Sequence, residues 1–247
     1  MGAIKCIIAA GGLGTRLQGF RDNQSTKILL KVNSKSMILQ QLDQLISWGL
    51  KDFVIITNPS FDALIRNETI HINEKYNIEY AIQTEQLGIS HALKQAKSYV
   101  NEGDQVVFVL GDNFFGNNPI ENINFEELYS LDKNSIIFTK EVTNPEEFGV
   151  AVTDSKNKVI QIEEKPKEPK SNKAVVGLYI FDSTCMKKID ELKPSNRGEY
   201  EITDLINLYI NEGKCSSINL DTWWIDCLLY TSPSPRDLST SRMPSSA

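Results

Sequence analysis

Histidine is nearly absent from this chain: His71 and His91 are the only two in 247 residues. Neither stands in a Ser/His/Asp or Cys/His arrangement, which sets aside chemistry through an imidazole-activated protein nucleophile. Cysteine is also sparse. Cys6, Cys185, Cys215 and Cys227 are scattered without metal-ligand spacing, and Cys6 falls inside the first apolar run, so they read as reduced thiols of a cytoplasmic protein. Basic residues are outnumbered, 26 against 32 acidic, for a net charge of −6 and a pI of about 5.1. This argues against nucleic acid or an anionic membrane as partner, and any anionic ligand must be held by local cations. No apolar stretch approaches a membrane span, and the N-terminal run breaks into glycines too soon for a signal peptide.

What the chain has is a glycine-dense turn after a strand. Ile4 to Ala10 is apolar but for Lys5, and Gly11, Gly12 and Gly14 follow within four positions, then Thr15, Arg16 and Leu17. Glycines here let the backbone lie against a ligand with consecutive N–H groups pointing into one concave surface, which suits phosphate oxygens. Arg16 adds a permanently charged planar fork at the exit of the loop. Two better-known glycine loops do not fit. Counting from Gly12, Leu17 stands where a dinucleotide fingerprint has its third glycine, and the Gly-Lys-Ser/Thr close of a Walker loop is missing.

The length and 40% apolar content suffice for one large α/β domain or two small ones. Ile28–Val32 is expected as a short strand. Ser36 should cap a helix over Met37–Trp48 that ends at Gly49. Strands at Phe53–Thr57, Ile78–Gln83 and Val106–Leu110 alternate with a short helix over Asp62–Asn67 and a helix over Ser90–Val100, implying right-handed βαβ units and a parallel sheet. Val106–Leu110 is wholly apolar and reads as a central strand. From Ser135 the rhythm changes. Strands at Ile136–Val142, Phe148–Val152, Val159–Glu163 and Val175–Phe181 have turn-rich connections, so antiparallel pairing is expected there. Helices over Ser183–Glu191 and Glu201–Asn211 and a strand near Ser216–Leu220 complete a mixed α/β body over residues 1–227. The last twenty residues hold six serines and three prolines without periodicity. They are expected to be a non-native or disordered tail, resembling vector read-through, with the native end missing.

In an open α/β sheet, ligands bind beyond the carboxyl ends of the strands. Leu110-Gly-Asp-Asn113 lies just past such an end. If its strand neighbours the first, Asp112 faces the glycine turn, and a carboxylate facing a phosphate cradle calls for a cation between them, with Mg²⁺ the natural choice. Asp226 is the second candidate ligand. Glu163-Glu-Lys-Pro166 ends a strand, and Pro166 holds Lys165 at the sheet end, where it can neutralise a second phosphate while Glu164 accepts hydrogen bonds from sugar hydroxyls.

The ordered set of motifs resembles the sugar-1-phosphate nucleotidyltransferases, and among them the glucose-1-phosphate thymidylyltransferases. It comprises Gly11-Gly-Leu-Gly-Thr-Arg-Leu17, Lys27-Ile-Leu-Leu30, Gln83 with Leu87-Gly-Ile-Ser-His-Ala92, Leu110-Gly-Asp-Asn113, Phe148-Gly-Val150, Glu164-Lys-Pro166, Ser171 to Tyr179, Arg197 to Asp204 and Trp224-Ile-Asp226. The resemblance implies a Rossmann-like, mostly parallel mixed sheet flanked by helices, with antiparallel sugar-binding additions. It implies that Gly11, Gly12, Gly14 and Thr15 wrap a nucleoside triphosphate, that Arg16 and Lys27 bind the phosphates of the leaving pyrophosphate, and that Gln83 and Gly88 read the pyrimidine edge. It assigns Asp112 and Asp226 to Mg²⁺, Gly149, Glu164 and Val175 to the sugar pocket, and Lys165 and Arg197 to the sugar 1-phosphate. The implied reaction is attack of a sugar 1-phosphate oxygen on the α-phosphorus of dTTP with in-line loss of pyrophosphate. A homo-oligomer is compatible with it; nucleic acid and membrane are not expected partners. UTP, CTP or another hexose phosphate, and a non-catalytic nucleotide-sugar sensor, stay open as alternatives. The chain departs from the pattern between Leu17 and Lys27, at Lys31 and at Phe148. His91 reads as a helix-surface or packing residue.

Overall fold

A computed structural model of the chain describes residues 2–12, 26–130 and 135–227. Gly14, Thr15, Arg16 and the segment 228–247 lie outside the described residues.

Strand β1 (Ile4–Ala9) is central, and period-two alternation divides its side chains between two cores. Cys6 and Ile8 enter a cluster with helix α1 (Met37–Ser47), whereas Ile7 enters a second cluster on the other face. Parallel to β1 run β4 (Asp52–Thr57) on one side and β6 (Gln105–Leu110) on the other, with β5 (Asn77–Ile82) beyond β4. Helix α2 (Asp62–Asn73) joins the α1 face through Ile65. The opposite face is covered by α3 (Ile89–Lys94), α5 (Cys185–Glu191) and α6 (Ile202–Asn211), which contribute Leu93, Met186, Ile189, Leu205, Ile206 and Tyr209. The short elements β2 (Lys31–Val32), β3 (Lys35–Ser36), β7 (Asn113–Phe115) and α4 (Phe125–Ser130) occupy the connections.

The antiparallel half begins at β11 (Lys173–Asp182). Its C-terminal portion pairs with β6. β8 (Ser135–Glu141) runs along its other edge and is flanked in parallel by β12 (Cys215–Asn219). β9 (Gly149–Thr153) meets β11 at Ala174 and pairs with β10 (Val159–Glu164). β13 (Trp224–Asp226) returns to pair with β7. The order β10-β9-β11-β6-β1-β4-β5, with β8 and β12 branching from β11, gives the expected mixed sheet.

Four local expectations are corrected. Ile28–Val32 is not one strand: Lys27–Leu29 forms a 3-10 turn that buries Lys27 and Ile28, and only Lys31–Val32 is extended. A two-residue turn with Asn33 and Ser34 at φ 52° and 66° then folds it onto Lys35–Ser36. Ser36 has N-cap dihedrals but makes no cap bond, its hydroxyl being buried without a partner. Helix α2 continues past Asn67 to Asn73. Its polar composition hid that extension, which Thr69 secures by bonding the Ile65 carbonyl at 2.8 Å and lying 2.6 Å from the Tyr80 hydroxyl. The helix expected over Ser90–Val100 stops at Lys94, and the chain tightens into a 3-10 turn over Lys97–Tyr99.

Candidate active site

Because β6 lies beside β1 in register, with Leu110 opposite Ala9, the residues leaving both strands face each other across one crevice. Gly11 and Gly12 form one wall and Asp112 the other. They line a cleft of about 360 Å³ together with Lys27, Gln83, Gly88, Leu110, Glu199 and Asp226. The glycine turn is fixed from behind: Asn58 Nδ2 donates to the Gly11 carbonyl at 2.8 Å and Thr26 Oγ1 to that of Gly12 at 3.3 Å.

Lys27, 6% exposed, reaches Asp112 Oδ2 at 3.0 Å. The other carboxylate oxygen of Asp112 accepts from Asn113 Nδ2 at 3.0 Å. Asp226 pairs across from Asn113 in the β7–β13 ladder, and Cys227 donates its backbone N–H to the Asp112 carbonyl at 3.0 Å. Both candidate metal carboxylates thus sit in one cleft with the glycine turn. Burial, with Asp112 and Asp226 nearby, pushes the Cys227 thiol up to about 11. Among the described residues no group of three or more His, Cys, Asp or Glu is placed to enclose a metal.

Gln83, 3% exposed, follows β5 and hangs from the Thr57 carbonyl by its backbone N–H at 2.8 Å. Gly88 carries φ +101°, and an added Cβ there would lie 2.7 Å from the Tyr200 carbonyl oxygen, so only glycine lets this loop press against the 199–201 segment. Tyr200 N donates to Leu87 O at 2.7 Å and Ser90 N to Tyr200 O at 3.1 Å.

The residues expected around a sugar also meet. A Cβ on Gly149 would stand 3.3 Å from Glu164 Oε2 and 3.9 Å from Val175 Cβ. Burial, reinforced by Glu201, holds the Glu164 carboxyl above its ordinary range against the pull of Lys165 and Arg197. Lys165 is exposed in a left-handed conformation (φ 46°) and donates its N–H to the Phe148 carbonyl at 2.9 Å, one step beyond the Gly149–Glu164 pair at the open end of the β9–β10 ladder, and the chain bends away at Pro166. Arg197 is engaged by acids: Nε and Nη2 donate to the two oxygens of Glu201 at 3.1 Å each, and Nη2 also reaches Glu199 at 3.0 Å. Burial opposes the charge on Arg197, and Glu201, Glu199 and Glu164 together outweigh that opposition and raise its pKa.

Sequence reasoning missed Glu201, Asn113 and Asn58 as site builders. The i,i+4 spacing of Arg197 and Glu201 was the available signal for the first. Nothing local marks Asn58, whose partner lies in another strand's turn.

Residues 5–227 match the family model described as nucleotidyl transferase. The chain belongs to the nucleotidyl transferase family. A protein of Neisseria meningitidis serogroup A named glucose-1-phosphate thymidylyltransferase is 36% identical over 218 residues, 86% of this chain and 73% of that one. One of the same name from Mycolicibacterium smegmatis is 37% identical over 225 residues, 89% and 76% of the two chains. Haloferax volcanii AglF, named a UTP–glucose-1-phosphate uridylyltransferase, is 29% identical over 97% of this chain and 96% of its own. Among solved structures, a Bacillus anthracis protein assigned as a glucose-1-phosphate thymidylyltransferase, solved with sucrose, superposes with TM-score 0.81 at 36% identity, covering 92% and 90%. A UDP-glucose pyrophosphorylase holding UDP-glucose shares the fold, with TM-score 0.78 at 22% identity. Among the described residues no helix is long and apolar enough to cross a membrane.

Proposed function

We propose that this nucleotidyl transferase moves a thymidylyl group from dTTP to glucose 1-phosphate, giving dTDP-glucose and pyrophosphate, with Mg²⁺ as cofactor. The observation that carries the reading is the division of the site. The glycine turn, Lys27, Asp112, Asp226 and Gln83 share one cleft, and Gly149, Glu164 and Val175 pack together where the antiparallel strands begin.

In this reading the N–H groups of Gly11 and Gly12, with Gly14, Thr15 and Arg16, hold the triphosphate, and Lys27 neutralises the phosphates that leave. Gln83 and Gly88 face the base. Glu164 accepts from sugar hydroxyls, Val175 and Gly149 bound the ring, and Lys165 and Arg197 receive the sugar phosphate. Asp112 and Asp226 fit Mg²⁺: a carboxylate has about four lone-pair sites, and Asp112 spends two on Lys27 and Asn113, leaving room for a monodentate metal bond. The metal, when bound, supplies charge neutralisation on the phosphate oxygens. No protein nucleophile is required, because the phosphate of the sugar is itself the attacking group. The chain contributes alignment and electrostatic stabilisation.

The relatives named thymidylyltransferases support dTTP, and the end-to-end match to AglF supports UTP as the second reading. Pyrophosphate release over a panel of dTTP, UTP, dCTP and dATP with several hexose 1-phosphates decides. Fastest turnover with dTTP and glucose 1-phosphate is expected; preference for UTP transfers the assignment, and binding without release with every pair overturns catalysis.

A further inference from the structure

The side-chain amide of Gln83 has one donating and one accepting end, and its surroundings settle which points where. Its Nε2 lies 3.4 Å from the Gly88 carbonyl oxygen and 3.1 Å from His91 Nδ1. A carbonyl can only accept, so the NH2 end faces Gly88 and His91. The oxygen, Oε1, is turned toward the glycine turn, within 3.3 Å of where a Gly11 Cβ would stand. Gln83 and Gly11 both line the nucleotide cleft, so the acceptor end is the one offered to it.

His91 Nδ1 must then be the unprotonated nitrogen. The other ring nitrogen lies 3.3 Å from Gln95 Nε2, a group that donates to the His91 carbonyl at 2.9 Å. With Nδ1 as the acceptor, the other ring nitrogen carries the proton, and the Gln95 amide beside it is held by its bond to the His91 carbonyl rather than by the ring. The ring is held in this orientation by stacking on Tyr200, with centroids 6.0 Å apart and planes at 28°. Tyr200 is in turn bonded through its backbone to Leu87 and Ser90, the segment that carries Gly88.

We propose that His91 is a positioning residue for base selection. By accepting from Gln83 Nε2 it locks the amide with its oxygen toward the base, favouring a pyrimidine that carries N–H at ring position 3 over cytosine, which presents a lone pair there. Thymine and uracil share this edge, so the device separates both from cytosine and not from each other. The inference rests on the reading of Gln83 as the base-facing residue. Without the histidine acceptor only the long 3.4 Å contact to the Gly88 carbonyl holds the NH2 end, so the amide turns more readily to present that group, which matches cytosine.

The test compares His91→Phe, which keeps the stack on Tyr200 but lacks the acceptor, with His91→Asn, whose Oδ1 restores an acceptor near the place of Nδ1. Steady-state rates are measured with dTTP, UTP and dCTP at neutral pH, after circular dichroism has confirmed folding; His91→Leu replaces the Phe variant if that one does not fold. In His91→Phe the kcat/KM ratio of dTTP over dCTP falls about tenfold, the value of roughly one net hydrogen bond, with the change in KM for dTTP rather than in kcat. His91→Asn retains most of the discrimination. An unchanged ratio in a folded His91→Phe enzyme, or equal loss in both variants, overturns the inference. A wild-type enzyme that uses neither dTTP nor UTP overturns instead the functional reading above it.

Discussion

Replacing Gly88 by alanine separates steric contact from backbone preference, because the chain carries its own control. Gly49 and Gly88 both have positive φ, +89° and +101°, yet nothing lies within 4 Å of a Cβ at Gly49, while one at Gly88 would stand 2.7 Å and 2.9 Å from the backbone oxygen and nitrogen of Tyr200. Gly49→Ala should cost about 1–2 kcal/mol, the left-handed penalty alone. Gly88→Ala carries a backbone strain of about 1–3 kcal/mol, since φ +101° with ψ 177° is a region almost reserved for glycine. It must also break the backbone hydrogen bonds from Tyr200 to Leu87 and from Ser90 to Tyr200, worth about 1 kcal/mol each. A total of about 3–5 kcal/mol follows. Equilibrium urea unfolding of both variants gives the difference, and KM for dTTP is measured beside it. The nucleotide KM should rise about tenfold or more, as 1.4 kcal/mol of lost positioning would require, with KM for glucose 1-phosphate nearly unmoved. Equal destabilisation of the two variants, with nucleotide KM unchanged in Gly88→Ala, would refute the argument that this contact shapes the base side of the cleft.

Asp112→Asn keeps the shape and removes the charge; kcat/KM should fall about 10²–10³-fold, and unchanged rates at saturating Mg²⁺ would remove Asp112 from the site. Glu164 should impose an acid limb on sugar binding. Its carboxyl is held above the ordinary 4.5, so it takes up a proton at a pH above that value, and KM for glucose 1-phosphate rises as pH falls through this window. The sign for stability is opposite, since the fold disfavours the ionised form and binds the proton more tightly than the unfolded chain does. A pH profile of KM that Glu164→Gln does not flatten would count against the assignment. Gly149→Ala adds a methyl 3.1 Å from Thr203 Cγ2 and 3.3 Å from Glu164 Oε2, so KM for the sugar phosphate should rise about tenfold with that for dTTP constant; equal effects on both substrates would contradict the division of the site.

The parallel half was legible because its signals are local. Wholly apolar Val106–Leu110 had to be a central strand, and its neighbour is β1, which brings Asp112 to the glycine turn. The antiparallel strands were legible as strands, but their pairing was not: β11 joins β6 along one edge and β8 along the other, a branching that no residue pattern encodes. Short elements were lost where tertiary contacts make them. β7 and β13 are three residues each and exist by pairing with one another. A strand was expected to begin just after Lys27, yet a 3-10 turn buries Lys27 against Asp112. The acid partners of Arg197 were in plain sight at 199 and 201, but a charge run reads as solvated until its geometry is known.

That geometry bears on how an acidic chain holds an anion. Asn113 shows how tightly the acidic side is fixed. Its Oδ1 accepts from the backbone of Gly177 at 3.1 Å and from the Trp224 indole at 2.7 Å, both groups that can only donate, which forces its Nδ2 toward Asp112. One buried side chain thereby ties β7, β11 and β13 to the carboxylate facing the glycine turn. Lys27 is clasped by this fixed acid and Arg197 by Glu201 and Glu199; in the proposed reading an arriving phosphate would therefore meet cations already in place. On that reading the phosphate would share cations whose ordering entropy was settled in folding, which is what preorganisation would mean at this site.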